Sequence, residues 1–296
     1  MIENPENQPN TGLKCGFVTL VGRSNVGKST LLNTLVGTKL AIVSDKPQTT
    51  RHIIHGVLNT AEGQAIFVDT PGIFKAKSGP LTGKLTEKAH EAVKEIDAII
   101  YVVDPTKALG GEERYVMSIL RKLEVPKILV INKCELSGRE KIYLEEYKAL
   151  ADEIEFSGVY ELSALRNRHV EPLRQRVFEL LPIGEPVYPP EQLTNVDNKF
   201  WVAEIIREKI FLALRKEVPY TTNVEVESID EQPNIFNIYA TVYTSDSRYK
   251  KMIVGAGGRA IKEIGIAARK EFEAALGKKV FLKLEVETDK HWMEKI

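Results

Sequence analysis

From residue 17 to about residue 181 the apolar positions switch repeatedly between two periods. Short, nearly continuous apolar runs occur at residues 17–21, 64–68, 98–103 and 127–131, with weaker ones at 52–58 and 158–161. Runs of that length bounded by turn residues predict strands. Between them helical spacing appears in Leu85, Ala89, Val93 and Ile96, in Val116, Ile119, Leu120 and Leu123, and in Val170, Leu173, Val177 and Leu180. Strands alternating with amphipathic helices predict an α/β domain on a mostly parallel sheet, with the apolar stripes as its core. The alternation stops at Pro182-Ile-Gly-Glu-Pro-Val-Tyr-Pro-Pro190, a stretch that stiffens an extended path.

Beyond it, Ala203, Ile206, Ile210 and Leu214 mark a helix ended by Pro219, and two alternating strands run through Val224 and Val226 and through Phe236, Ile238, Ala240 and Val242. A helix carries Ile261, Ile264, Ala268, Ala275 and Leu276 on one side, and a last strand carries Val280, Leu282, Leu284 and Val286. These shifts divide the chain into a polar tail (1–15), an α/β domain (16–182), a proline-rich linker (183–198) and a smaller α+β domain (199–296).

Candidate chemistry lies in the loops at strand ends, where open α/β sheets hold their ligands. The first strand runs into Gly22-Arg23-Ser24-Asn25-Val26-Gly27-Lys28-Ser29, followed by Thr30 and a helical stretch. Strand, glycine-rich loop and helix with Lys-Ser after the second glycine are the context of a phosphate-binding P-loop. Its backbone N–H groups converge on phosphates, Lys28 reaches the β- and γ-phosphates, and the Ser29 hydroxyl holds Mg²⁺. After the strand at 64–68 comes Asp69-Thr-Pro-Gly72, where a carboxylate can hold a metal-bound water and Gly72 can offer its N–H to a γ-phosphate. Alone that tetrapeptide is an ordinary turn; its place at the end of the next long strand gives it meaning.

Composition narrows the field little. The 296 residues carry 41 basic and 41 acidic side chains, so net charge gives no sign of a nucleic-acid partner and any basic footprint must be local. Two cysteines, Cys15 and Cys134, make no disulfide framework and suit a reducing cytosol. No apolar run approaches the length that spans a bilayer, and the start of the chain lacks the pattern of a signal peptide. His52 and His55, three apart in the expected strand at 52–58, read as exposed edge residues rather than metal ligands.

Asn132-Lys133-Cys134-Glu135 follows the strand at 127–131, and Leu162-Ser163-Ala164 follows the last strand of the domain. With these the first domain resembles the translation-factor class of small GTPases. The resemblance implies that Asn132, Lys133 and Glu135 grip guanine and that Ser163 and Ala164 support the base. Glu135 stands where the family has Asp, so the two acceptor oxygens reach one methylene further. Residues 44–52 then match the first switch, with Thr50, or Thr49 beside it, closing over Mg²⁺. Ile73 stands where many such GTPases have the glutamine that orients water, so slow intrinsic turnover is expected. Asn25 matches a residue that helps hold K⁺ in a potassium-activated subset; a loop asparagine merely adopting a left-handed backbone is the alternative.

In the second domain Gly255-Ala256-Gly257-Gly258-Arg259 leads into Ile261-Lys262-Glu-Ile-Gly265, and the element order α, β, β, α, α, β resembles a prokaryotic-type (type II) KH domain. Such a loop clamps single-stranded RNA along its backbone, with Lys250, Lys251, Arg259 and Lys262 as local cations. The combination along essentially the whole chain, with Gln48-Thr-Thr-Arg-His52 and Glu204-Ile-Ile-Arg-Glu-Lys209, resembles the Era family of bacterial GTPases. That likeness implies GTP and GDP as ligands, the 3′ end of small-subunit ribosomal RNA and the small ribosomal subunit as partners, subunit biogenesis as the role, peripheral contact with the cytoplasmic membrane, and a monomer in solution. Two other readings stand beside it: a constitutive RNA-binding assembly factor with a structural nucleotide domain, and a GTPase of transfer-RNA modification or metal transport. Intact Lys28, Ser29, Asp69 and Asn132 oppose the first, and the KH-like end opposes the second.

Overall fold

The protein is described from a computed structural model covering residues 12–44, 46, 50–70, 96–215 and 217–292. Among these residues six strands form the first sheet: β1 (Lys14–Val21), β2 (Ile54–Thr60), β3 (Gly63–Asp69), β4 (Ala98–Val103), β5 (Lys127–Ile131) and β6 (Gly158–Glu161), in the order β2-β3-β1-β4-β5-β6. Only β2 is antiparallel to its neighbour. Strands β3 and β4 are buried along their whole length, as expected of a sheet covered on both faces, and this is why their sequences show no alternation. Helices α1 (Lys28–Val36) and α5 (Glu171–Leu180) cover one face through Leu31, Leu35, Leu173 and Val177; α2 (Gly111–Leu120), α3 (Leu144–Lys148) and α4 (Leu150–Glu153) cover the other through Val116, Leu120, Tyr147 and Leu150. Because β1 lies between β3 and β4, the chain reverses direction across the sheet beside β1. That opens a crevice at the strands' carboxyl ends.

The second sheet has the order β7-β8-β9, built from β7 (Thr222–Glu231), β8 (Ile235–Thr244) and β9 (Lys279–Thr288). A hairpin joins β7 to β8, whereas β9 runs parallel to β8. A parallel neighbour needs a crossover, supplied by α7 (Ser247–Val254) and α8 (Arg259–Leu276). With α6 (Asn198–Ala213) they bury Ile206, Ile210, Ile238, Val242, Ile264 and Phe272 in a separate core. The expected fold class, an α/β domain on a mostly parallel sheet followed by a smaller α+β domain with the order α, β, β, α, α, β, is borne out.

Several local expectations are revised. Strand β2 begins at Ile54, two residues later than the apolar run suggested. Helices α3 and α4 had not been expected, being five and four residues long, too short to show a period. His52 and His55 are half-buried, not exposed: the His52 ring meets Phe200 edge-on at 5.0 Å, and His55 Nδ1 lies 2.8 Å from the Tyr188 hydroxyl. The cause for His52 is α6, which carries Phe200, and for His55 it is the linker, which docks along β2. Val57 donates to the Leu193 carbonyl at 2.9 Å, and Gln64, 1% exposed, accepts from the N–H groups of Val187 and Tyr188 and donates to the carbonyl of Tyr188. The expected helix through Leu85, Ala89 and Val93 lies outside the described residues, as does the tail up to residue 11.

The two domains also meet directly. Lys39, after α1, pairs with Glu208 at 2.6 Å and with Glu271, while Trp201 donates its indole N–H to the Lys39 carbonyl at 2.9 Å.

Replacing Gln64 with Leu leaves two linker N–H groups without their acceptor, a loss of about 2 kcal/mol. The thermal midpoint should fall by about 4–8 °C. Burial also holds the His55 imidazole below the usual histidine range. Between that depressed value and about 6.5 the unfolded chain binds the extra proton, so stability is complete above about pH 6.5 and declines as the pH falls. Thermal scans of wild type and His55→Gln across pH 5 to 8 should show the acid-side decline reduced in the variant.

Candidate functional site

The crevice at the ends of β1 and β3 is built around one buried carboxylate. Asp69 is the last residue of β3, pairs in register with Leu20 of β1, and is fully buried. Its Oδ2 accepts from the Ser29 hydroxyl at 2.6 Å and from the Thr50 hydroxyl at 3.4 Å, and those two hydroxyls lie 3.0 Å apart. Its Oδ1 is buried with no hydrogen-bond partner. Burial pushes the carboxyl above its ordinary range, opposed by the Lys28 charge and the hydroxyl donors. A buried anion with an unpartnered oxygen beside two hydroxyls is a donor set for a small hard cation. Ser29, Thr50 and Asp69 therefore fit Mg²⁺.

The P-loop wraps the N-terminus of α1 next to this cluster. Gly27 has φ +100°, and a Cβ there would stand 2.3 Å from Asn132 Nδ2, so both conformation and space demand glycine. Lys28 donates to the carbonyls of Gly22 and Arg23, each at 3.0 Å, which holds the ammonium within the loop. Burial lowers its pKa, and the Asp69 charge acts against that shift. The Arg23 guanidinium turns away to Glu113 of α2 at 2.7 Å, and the Val26 side chain enters the core, so these two positions face the crevice only through backbone. Ser24, Asn25, Gly27, Lys28, Ser29 and Thr30 line the cavity with Thr50. Asn25 has φ +64°, the left-handed geometry of the alternative reading, while also lining the cavity.

The second cavity adjoins the first and holds the Asn-Lys-Cys-Glu loop. Asn132 cross-links three loops, donating to the Val26 carbonyl at 2.9 Å and accepting from the Ala164 N–H at 3.0 Å. Lys133, itself at φ +65°, pairs with Asp104 at 2.6 Å. Glu135 lines this cavity with one carboxylate oxygen buried and unpartnered, a receptor for donors such as guanine N1–H and N2–H₂. Ser163 is fully buried and accepts from the Arg166 N–H at 3.0 Å, shaping the turn that presents Ala164. Thr49 and Gly72, and Ile73 with them, lie outside the described residues.

Sequence reasoning passed over Asp104, Lys107 and Leu165. Asp104 follows the last residue of β4 and fixes the Lys133 side chain, and Lys107 and Leu165 line the second cavity. The signal for Asp104 was present: an acid at the carboxyl end of a central strand.

In the second domain Gly255, Gly257 and Gly258 have φ of +73°, +58° and +77°, so the loop from α7 to α8 turns through conformations that favour glycine. With Ala256 it is short and bare of side chains. Arg259 and Lys262 stand exposed at the start of α8, with Lys251 exposed and Lys250 half-buried on α7. Between α8 and β9 a groove is lined by Ile261, Lys262, Ile266, Arg269, Leu282 and Leu284. Ile261, Leu282 and Leu284 pack against the core of this domain and also wall the groove, a double role that the period of an amphipathic element does not show.

Residues 17–133 match the family described as 50S ribosome-binding GTPase, and residues 217–293 match the KH domain family. GTPase Era of Thermoanaerobacter sp. (strain X514) is 44% identical over 96% of this chain and 94% of its own length; GTPase Era of Halothermothrix orenii is 41% identical over 95% of each. A crystal structure of Era in complex with MgGDPNP and nucleotides 1506–1542 of 16S ribosomal RNA superimposes with a TM-score of 0.88 at 35% identity, covering 96% of both chains. An Aquifex aeolicus Era variant bound to GDP and AlF₄⁻ gives 0.87 at 34% identity over the same shares.

Removing the Glu135 carboxylate as Glu135→Ala should lower the preference for GTP over ATP by about 10²-fold or more, since a base-reading site discriminates through its buried polar groups. Gly27→Ala should instead weaken GTP and GDP alike by about tenfold or more, through the clash with Asn132. Competition binding of labelled GDP against each nucleotide measures both.

Proposed function

The chain belongs to the Era family of GTPases, a P-loop GTPase domain followed by a KH domain, and from that premise we propose that it is a nucleotide-controlled binder of the 3′ end of small-subunit ribosomal RNA, acting in assembly of that subunit. The observation that carries the nucleotide half is the convergence of Ser29, Thr50 and the unpartnered Asp69 Oδ1 beside the P-loop. The RNA half is supported by the groove between α8 and β9, whose α8 wall begins at Ile261, three residues after the glycine loop, and by the RNA bound to the Era of similar structure.

In this reading Gly22 to Thr30 cradle the phosphates through backbone N–H groups at the N-terminus of α1. Lys28 places its charge where negative charge develops on the transferred phosphoryl group. Mg²⁺ on Ser29, Thr50 and Asp69 would neutralise the phosphate oxygens. Glu135 takes the guanine edge, and Asn132 holds the base loop against the P-loop through its bonds to Val26 and Ala164. Hydrolysis converts GTP and water to GDP and phosphate. Turnover without a partner is slow, and K⁺ held near Asn25 would supply additional positive charge; the placement of Asn25 in the phosphate cavity supports this.

On the RNA side, backbone N–H groups of Gly255 to Gly258 contact phosphates, Lys250, Lys251, Arg259 and Lys262 add attraction, and unstacked bases enter the groove against Ile261, Ile266 and Leu282. Occupancy of the metal site at Thr50 biases the position of the second domain, so RNA and GTP affect each other's affinity reciprocally.

GTP hydrolysis should be faster in potassium than in sodium buffer and faster still with an RNA copying the 3′ tail of small-subunit ribosomal RNA, while ATP remains uncleaved. Equal rates in both salts would remove K⁺ from the scheme. Lys262→Ala should weaken RNA binding and reduce the slope of log affinity against log salt by about 0.7. Tight RNA binding that ignores nucleotide, with no hydrolysis under any condition, would overturn the proposal in favour of a constitutive RNA-binding module.

A further inference from the structure

Thr50 and its neighbour Arg51 face opposite ways. Thr50 points into the candidate metal site, 3.0 Å from the Ser29 hydroxyl. The Arg51 side chain, 1% exposed, leaves the GTPase domain and is buried in the second one. There Nη1 donates to the Thr222 carbonyl at 2.8 Å and Nη2 to the Tyr220 carbonyl at 3.3 Å, both at the entry to β7. The guanidinium lies 5.3 Å from the Trp292 ring centroid and 6.0 Å from that of Phe211. Every one of these partners belongs to the second domain. On the other side of Thr50 in the chain, Lys46 donates to the Phe211 carbonyl in the last turn of α6, where the helix end favours a cation.

Arg51 is an unusual side chain to bury in this way. Its guanidinium stands near Arg207, whose charge is matched by Glu204 at 2.7 and 2.6 Å, and its own Nε is buried with no hydrogen-bond partner. Burial, with the Arg207 charge adding to it, brings its pKa down to about 9, which leaves it cationic at neutral pH. A buried cation held by carbonyls and aromatic faces is stable only while those groups stay in place. If the second domain shifts, Arg51 must leave its socket. Consecutive Cα atoms are about 3.8 Å apart across a peptide bond, so Thr50 cannot ignore that movement.

We propose that Arg51 is a positioning residue for the GTPase reaction: seated in the second domain, it sets where Thr50 stands in the metal site, and metal-bound Thr50 in turn sets the seat of that domain. The inference rests on the reading of Thr50 as a Mg²⁺ ligand and names the contact through which RNA and nucleotide are coupled. Its action reaches the chemistry only through Thr50. The P-loop and base loop, held by Asn132 and Lys133, do not depend on it.

The two tryptophans make the test convenient, because both stand at the junction. In a Trp201→Phe background the emission of Trp292 should change when Mg²⁺ and a non-hydrolysable GTP analogue replace GDP, and Arg51→Gln should abolish the change. In equilibrium binding, Arg51→Gln should raise the Mg²⁺ concentration needed for tight binding of the analogue by about tenfold, with GDP affinity in the absence of Mg²⁺ within about twofold of wild type. Trp292→Leu, a change in the other domain, should reproduce the Mg²⁺ shift. Arg51→Lys, which keeps the charge and one donor, should lie between wild type and Arg51→Gln and serves if the glutamine variant fails to fold. Wild-type Mg²⁺ dependence in Arg51→Gln and Arg51→Lys would overturn the proposal, as would a shift in the arginine variants with none in Trp292→Leu, since Arg51 would then act within its own domain. RNA affinity of the wild type with the analogue and with GDP is measured alongside: equal affinities would sink nucleotide control of RNA binding, while the Mg²⁺ titration still decides the role of Arg51.

Discussion

Asp69 is where the architecture and the chemistry depend on each other. A carboxylate with no exposed surface is tolerated only where hydroxyls or a cation answer it, and here the sheet delivers it to the place where the P-loop serine and the switch threonine meet it. The parallel register of β1 and β3 brings Asp69 level with Leu20, so the acid emerges beside the glycine loop. That loop can close only because Gly27 leaves room for Asn132, which in turn holds the base loop and Ala164. Phosphate, metal and base subsites therefore share one continuous set of hydrogen bonds.

The same set continues into the second domain through a different kind of contact. The nucleotide crevice mixes hydroxyls and amides with the Asp69 carboxylate and the Lys133–Asp104 pair, whereas the junction rests mainly on cations: Lys39 with Glu208, Lys46 and Arg51 on backbone carbonyls. Charged groups in partly dry surroundings keep their orientation only while every partner is present. The junction is thus suited to two discrete arrangements rather than to gradual sliding.

Much of this was legible beforehand, and the reasons differ by element. Strand, glycine loop and helix could be read because Gly22 to Ser29 satisfies a spacing that phosphate geometry imposes, and Asp69 could be read from its place after an apolar run. The GxxG-type turn was legible because three left-handed backbone positions call for glycine. What escaped were side chains whose meaning is set by distant packing. Arg51 stood within a recognised block of sequence but nothing local says that it crosses to Trp292, 241 positions along the chain. That Ile261 and Leu282 border an open groove as well as the core could not be read, because helix and strand periodicities report which way a residue points, not what covers it. His52 and His55 looked exposed because the segments that cover them come from more than a hundred residues away.

The docked linker changes what counts as the border of the first domain. Its proline-rich composition suggests a spacer, yet Val57, His55 and Asn59 of β2 all bond to the segment from Pro190 to Asn195. Cutting the chain at the compositional border near Pro182 would strip the outer edge of an antiparallel strand and leave its N–H groups facing water, in the arrangement that recruits a second edge from another molecule. In this protein the linker guards that edge, and the structural border of the first domain lies near residue 195 rather than at Pro182.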